Sequence, residues 1–172
     1  MKKIIFFDGD GTVWRLRPGT LFKHPVDAWK KSRSSEEARG HFEVPDSHIR
    51  ILRLLRDSGI YLVILSTSPH TKRYANKKLT ETVRHFKLDR IFNEIHAADD
   101  YPGSKGEHML RILLKRRIKK KEALMVGDSQ KWDYSPAKKV GIDALLLRRS
   151  YNRACIVRKI DGLDEVSNYL DK

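Results

Sequence analysis

The chain has 172 residues, 40% hydrophobic and 34% charged, and carries a net charge of +14. That length suits one domain with a sizeable core, and the lack of any long uncharged apolar stretch argues against a membrane span. Cys155 is the single cysteine, which excludes an intramolecular disulfide and a cysteine-built zinc site and fits a reducing cytoplasm.

Met1-Lys2-Lys3 runs straight into the first apolar run, at 4–7, so no secretory leader is expected. Further short apolar runs stand at 60–65, 91–95, 123–126 and 142–147, mostly β-branched or aromatic, and they read as five parallel strands with helical stretches between them. Asp8-Gly9-Asp10-Gly11-Thr12 follows the first strand directly, with Gly11 allowing a sharp turn. Period-two alternation would send Asp8 and Asp10 to the same side of the chain, toward one reacting group.

Residues 14–45 fit no simple element and read as a small cap or flap excursion within a single domain spanning 1–172. Trp14, Phe22 and Trp29 there suit core packing or an apolar wall for a leaving group. Asp46 after Pro45 is a plausible N-cap for a helix with Ile51, Leu52, Leu54 and Leu55 as its apolar stripe and Gly59 as its stop. Ser104-Lys105-Gly106-Glu107 has the capping-box pattern and puts Lys105 on the first turn of a helix carrying Met109, Leu110, Ile112, Leu113 and Leu114. Ser135-Pro136 reads as N-cap and N1 of a short helix stopped by Gly141, which leaves 128–133 on a loop. A terminal helix over 162–170 and an edge strand within 155–160 complete the chain.

Alternating strands and helices predict an α/β doubly wound, Rossmann-like parallel sheet of about five strands with helices on both faces. Ligands bind such sheets beyond the carboxyl ends of the strands. Four polar clusters pass that filter: Asp8 with Asp10, Ser66-Thr67-Ser68, Ser104-Lys105, and Gly127-Asp128-Ser129 with Asp133. Carboxylates, a hydroxyl and an ammonium are the groups that phosphoryl transfer through an aspartyl nucleophile and a metal requires. Hard oxygen donors without a His or Cys cluster point to Mg2+.

In this order the motifs resemble those of the haloacid dehalogenase (HAD) superfamily: D-x-D-x-T, a strand-final Ser or Thr, a Lys, and G-D-x4-D or a close variant. The resemblance runs from Lys3 to about Leu147 and is nearest in pattern to the magnesium-dependent phosphatase branch with a minimal cap. It departs at Gly9, where a bulkier apolar residue is usual, and at Gly127, where that branch tends to carry an acid. The resemblance implies a phosphomonoesterase in which Asp8 attacks phosphorus to form an aspartyl phosphate and Asp10 is acid and then base. It assigns Asp8, Gly9, Ser66, Thr67 and Lys105 to phosphate binding, with Thr67 the fallback for Ser66. Asp8, Asp128 and the backbone carbonyl of Asp10 would hold Mg2+, with Asp133 a ligand or the support of one.

The expected partner is a phosphorylated substrate, whether small molecule, phosphoprotein or nucleic-acid end, and no membrane. A mutase-type phosphotransferase and a basic nucleic-acid-binding protein with a vestigial site are the alternatives; nucleic acid is less favoured, and an oligomer is left open. A phosphorylatable receiver is disfavoured by motif order, since strand three ends before Asp99-Asp100 without the acceptor at its tip. The basic run 115–121 would lie at the far end of its helix as a solvated face. The seven histidines show no metal spacing, though His24 and His70 fall near the predicted mouth.

Overall fold

The computed structural model describes residues 1–67, 72–98 and 103–171. In chain order the elements are β1 (Ile4–Phe7), β2 (Arg15–Leu16), α1 (Pro25–Lys31), α2 (Ser35–Gly40), β3 (Phe42–Glu43), α3 (Asp46–Asp57), β4 (Tyr61–Ser66) and α4 (Lys72–His85). There follow β5 (Glu94–Ala97), α5 (Lys105–Arg116), β6 (Ala123–Gly127), α6 (Ser135–Lys139), β7 (Asp143–Leu147), β8 (Lys159–Ile160) and a 3₁₀ segment at Leu163–Tyr169.

Six strands pair in parallel in the order β5-β4-β1-β6-β7-β8. The chain leaves β1 for β4 and β5 on one side and later crosses to β6 on the other. The crevice beyond the carboxyl ends of β1 and β6 is therefore the switch point at which ligands bind in sheets of this kind.

The continuous apolar runs arise because both faces of the sheet are buried. Ile5, Phe7, Leu62, Ile64, Leu124 and Val126 face one core with residues of α1, α2, α3, α4 and the terminal 3₁₀ segment. Ile4, Phe6, Val63, Leu65, Ala123 and Met125 face the other with α5 and α6. The expected doubly wound α/β sheet is the one observed, with β8 as a sixth, two-residue edge strand.

Several local expectations are corrected. The third strand is β5, not 91–95: Ile91 and Phe92 turn back on the Leu88 carbonyl and fill the core before pairing begins at Glu94. Residues 14–45 do contain elements, a β2–β3 antiparallel ribbon enclosing α1 and α2, all too short to leave a period. Pro45, not Asp46, is the N-cap residue of α3, and Asp46 opens the helix. Leu54 and Leu114 are exposed, whereas His48 is buried with its Nδ1 3.0 Å from the Val13 carbonyl.

Candidate active site

β1 stops at Phe7, and with it the alternation that would send Asp8 and Asp10 the same way. The Gly9 carbonyl accepts from the backbone N–H groups of Thr12 (3.2 Å), Val13 (3.0 Å) and Trp14 (3.2 Å). Gly11 takes φ +75°, a left-handed conformation that glycine adopts without strain. Asp8 stays fastened to the neighbouring strand through its N–H on the Val126 carbonyl at 2.9 Å.

Lys105 reaches Asp8 from the first turn of α5. Ser104 and Glu107 form the capping box there, the Ser104 side chain accepting from Glu107 N at 3.2 Å and Glu107 Oε2 accepting from Ser104 N at 2.7 Å. The buried Lys105 Nζ donates to Asp8 Oδ1 at 2.8 Å and to Asp133 Oδ1 at 2.5 Å.

Asp133 does not sit on a loop. A π-helical turn at Gln130–Tyr134 begins at Ser129, whose side chain accepts from Trp132 N, and continues directly into α6. Ser129 is thus the cap, and Ser135 lies inside the helical run. The turn folds the Asp133 carboxylate back so that its Oδ2 accepts from Ser129 N at 2.9 Å.

Asp8, Asp128 and Asp133 each offer an oxygen within 4.8 Å of those of the other two, and all three residues are buried. Burial, with Asp133 nearby, raises the pKa of Asp8 against the opposing pull of Lys105. Burial, with Asp8 and Asp133 nearby, raises that of Asp128 well above the carboxylate range. Burial opposes the charge on Lys105, yet Asp133 and Asp8 hold its pKa above the ordinary lysine value. Among the described residues, the cation ion-paired with this group is Lys105, on two of its three carboxylates.

Asp10 answers to different partners. Its Oδ1 accepts from Trp14 Nε1 at 2.6 Å and from Trp29 Nε1 at 2.9 Å. Burial raises its pKa, and the two indole donors pull it partly back. Ser66 is buried at the end of β4, and its Oγ lies 3.1 Å from where a Cβ on Gly9 would stand. Thr67 follows, half-buried. Ser68, His70, Asp99 and Asp100 fall outside the described residues.

The loop after β7 escaped the sequence reading. Tyr151 Oη donates to Asp128 Oδ2, and the Asn152 side chain donates to the Asp128 carbonyl at 2.8 Å. Their position at the carboxyl edge of a fifth strand was the available signal. The indole N–H groups of Trp14 and Trp29 had none, since an aromatic beside an apolar core reads as packing.

The profile of the haloacid dehalogenase-like hydrolases matches residues 2–147. The chain belongs to this family. No curated protein matches the chain in sequence. Among solved structures it is similar to a predicted phosphoglycolate phosphatase from Haemophilus somnus, with TM-score 0.72 and 17% identity over 98% of this chain and 97% of that one. A HAD phosphatase from Thermococcus onnurineus gives TM-score 0.69 and 21% identity over 99% and 98%. A HAD-superfamily hydrolase from Ehrlichia chaffeensis gives 0.67 and 16% over 99% and 98%. At these identities the likeness is one of fold.

Within this haloacid dehalogenase-like hydrolase, two glycines at the site, Gly9 and Gly127, lie in close packing. A Cβ on Gly9 would collide with the Trp14 ring, and a Cβ on Gly127 with the side chain of Asp133. Each glycine leaves room for a neighbouring side chain, Trp14 in one case and Asp133 in the other.

Proposed function

We propose that this hydrolase is a magnesium-dependent phosphomonoesterase, acting on a phosphorylated substrate through an aspartyl-phosphate intermediate. The observation that carries the reading is the Lys105 ammonium held between Asp8 and Asp133 within the buried group of three carboxylates at the switch point. In this reading residues 1–172 form one HAD-like domain, 14–45 serve as its minimal cap, and the lone Cys155 suits a cytoplasmic setting.

Three buried carboxylates, two of them paired with Lys105, and no nitrogen or sulfur donor in the group, fit a hard divalent cation of the Mg2+ class. Asp8, Asp128 and Asp133 would hold it, with the Asp10 backbone carbonyl as a further donor. The ion would neutralise phosphoryl charge and keep Asp8 ionised.

Asp8 attacks phosphorus through a carboxylate oxygen while Lys105 donates to its Oδ1. Lys105 faces charge developing on the phosphoryl oxygens, and the α5 N-terminus adds the positive end of its dipole. Ser66, with Gly9 and Thr67 beside it, binds a phosphoryl oxygen. Asp10, whose Oδ1 is fixed by two indoles, gives the proton on its other oxygen to the departing alcohol oxygen. The resulting carboxylate then takes a proton from the water that cleaves the Asp8–phosphate bond, releasing inorganic phosphate.

Release of phosphate from a generic aryl phosphate, with and without Mg2+, tests the assignment. Mg2+-dependent turnover lost in Asp8→Asn is the expected result, and turnover retained by that variant overturns it.

A further inference from the structure

We propose that Tyr151 is a positioning residue of the metal centre, and that the ring of His24 couples it to the segment 14–45. The proposal rests on the reading of Asp8, Asp128 and Asp133 as the site of a divalent cation. Tyr151 Oη donates to Asp128 Oδ2, so one oxygen of a carboxylate that would ligate the cation is held by a neutral donor. A neutral hydroxyl orients the carboxylate without adding a charge that competes with the ion.

The rest of the loop ties both acid-bearing turns together. Arg149 Nε donates to the Gly11 carbonyl at 2.7 Å, and Asn152 Nδ2 donates to the carbonyls of Asp128 and Leu147, each at 2.8 Å. Asn152 Oδ1 in turn accepts from Arg149 N at 2.9 Å and holds the loop in shape. The packing is close: a Cβ on Gly11 would run into both the Asp128 carboxylate and the Tyr151 hydroxyl.

The Tyr151 ring also meets the ring of His24, with centroids 4.5 Å apart and planes tilted by 54°. His24 is the N-cap of α1, its Nδ1 accepting from Val26 N at 3.2 Å. The same helix carries Trp29, which donates to Asp10. His24 and Tyr151 thus join the start of α1 to the carboxylate opposite Asp8. Outer donors of this kind orient ligating carboxylates, and losing one costs about 10–100-fold in metal affinity.

Calorimetric titration of Mg2+ into the full chain, without substrate, tests the role. Tyr151→Phe is expected to bind Mg2+ about tenfold more weakly, and His24→Ala more weakly by a smaller factor, with melting in EDTA close to that of the wild type. The Mg2+ concentration for half-maximal turnover should rise in parallel. Equal affinity of Tyr151→Phe and wild type overturns the role of Tyr151 while leaving the metal site standing. A large loss of melting temperature in EDTA overturns it too, because the residue would then be holding the fold. Wild-type affinity in His24→Ala removes the coupling. No Mg2+ binding by the wild type overturns the metal reading itself and Tyr151 with it.

Discussion

Two indole N–H groups converge on one oxygen of Asp10, and the residues that supply them come from different places: Trp14 from the turn after β1 and Trp29 from α1. Both donors favour the charged carboxylate, and both restrict which oxygen can meet a substrate. Trp29→Phe keeps the ring and removes one donor. Its expected effect is a loss of about tenfold in kcat from misplacement of Asp10, with Mg2+ affinity unchanged; a variant whose kcat matches the wild type would deny Trp29 this role. The same residue shows where single-residue reading stops. Asp8, Lys105 and Asp133 were legible because charged side chains at strand ends and helix starts are conspicuous. The bonding atom of a tryptophan that reads as core is not.

At the scale of elements, α5 does two jobs. Its first turn delivers Lys105, and one turn further His108 packs toward β5 with its ring centroid 5.2 Å from that of His96. Burial, with repulsion from His96 and Arg111, lowers the His108 pKa to about 4. In the unfolded chain histidine takes up its proton near its ordinary pKa of 6.5. Between those two values the unfolded state binds more protons, so stability falls as pH drops from about 6.5 to about 4. His108→Gln, measured by urea unfolding in EDTA at both ends of that window, should lose less stability on acidification than the wild type, by on the order of 1–2 kcal/mol. Identical losses would show that His108 is not the group responsible.

Elements differed in how well they could be read. β1, β4 and β6 are buried on both faces, so their apolar runs are unbroken and mark the strands to within a residue. β2 and β3 have two residues each, and α1 and α2 seven and six, too few for any period to emerge. Ile91-Phe92 misled for another reason: a buried turn and a buried strand are equally apolar. At 128–133 the turn residues were noticed, but the cap belongs to Ser129 because the helix starts with a π-helical turn that no spacing announces.

For the molecule as a whole, the site opposes stability. Asp8 and Asp128 have raised pKa values because burial and mutual repulsion penalise their charges, so ionising them above the ordinary carboxylate range weakens the fold. Asp8→Asn should therefore melt higher than the wild type at neutral pH in EDTA, by about 2–4 °C for each 1 kcal/mol relieved. Mg2+ should raise the wild-type melting temperature and raise that of Asp8→Asn less. Differential scanning calorimetry with and without the ion reads both, and a variant that melts lower than the wild type in EDTA would contradict the charge-repulsion account.

The pairing of Arg15 with Glu43 and of Leu16 with Phe42 brings the two ends of the excursion side by side at its root. Such a segment looks exchangeable, a plug-in that a descendant could trade for another while the sheet stays put. Yet this plug-in reaches inward, for Trp29 donates to Asp10, the proposed acid and base, and His24 touches the tyrosine that donates to Asp128. Grafting in a different segment to change which leaving group is accepted would also reset proton delivery, so the two traits would be inherited as one.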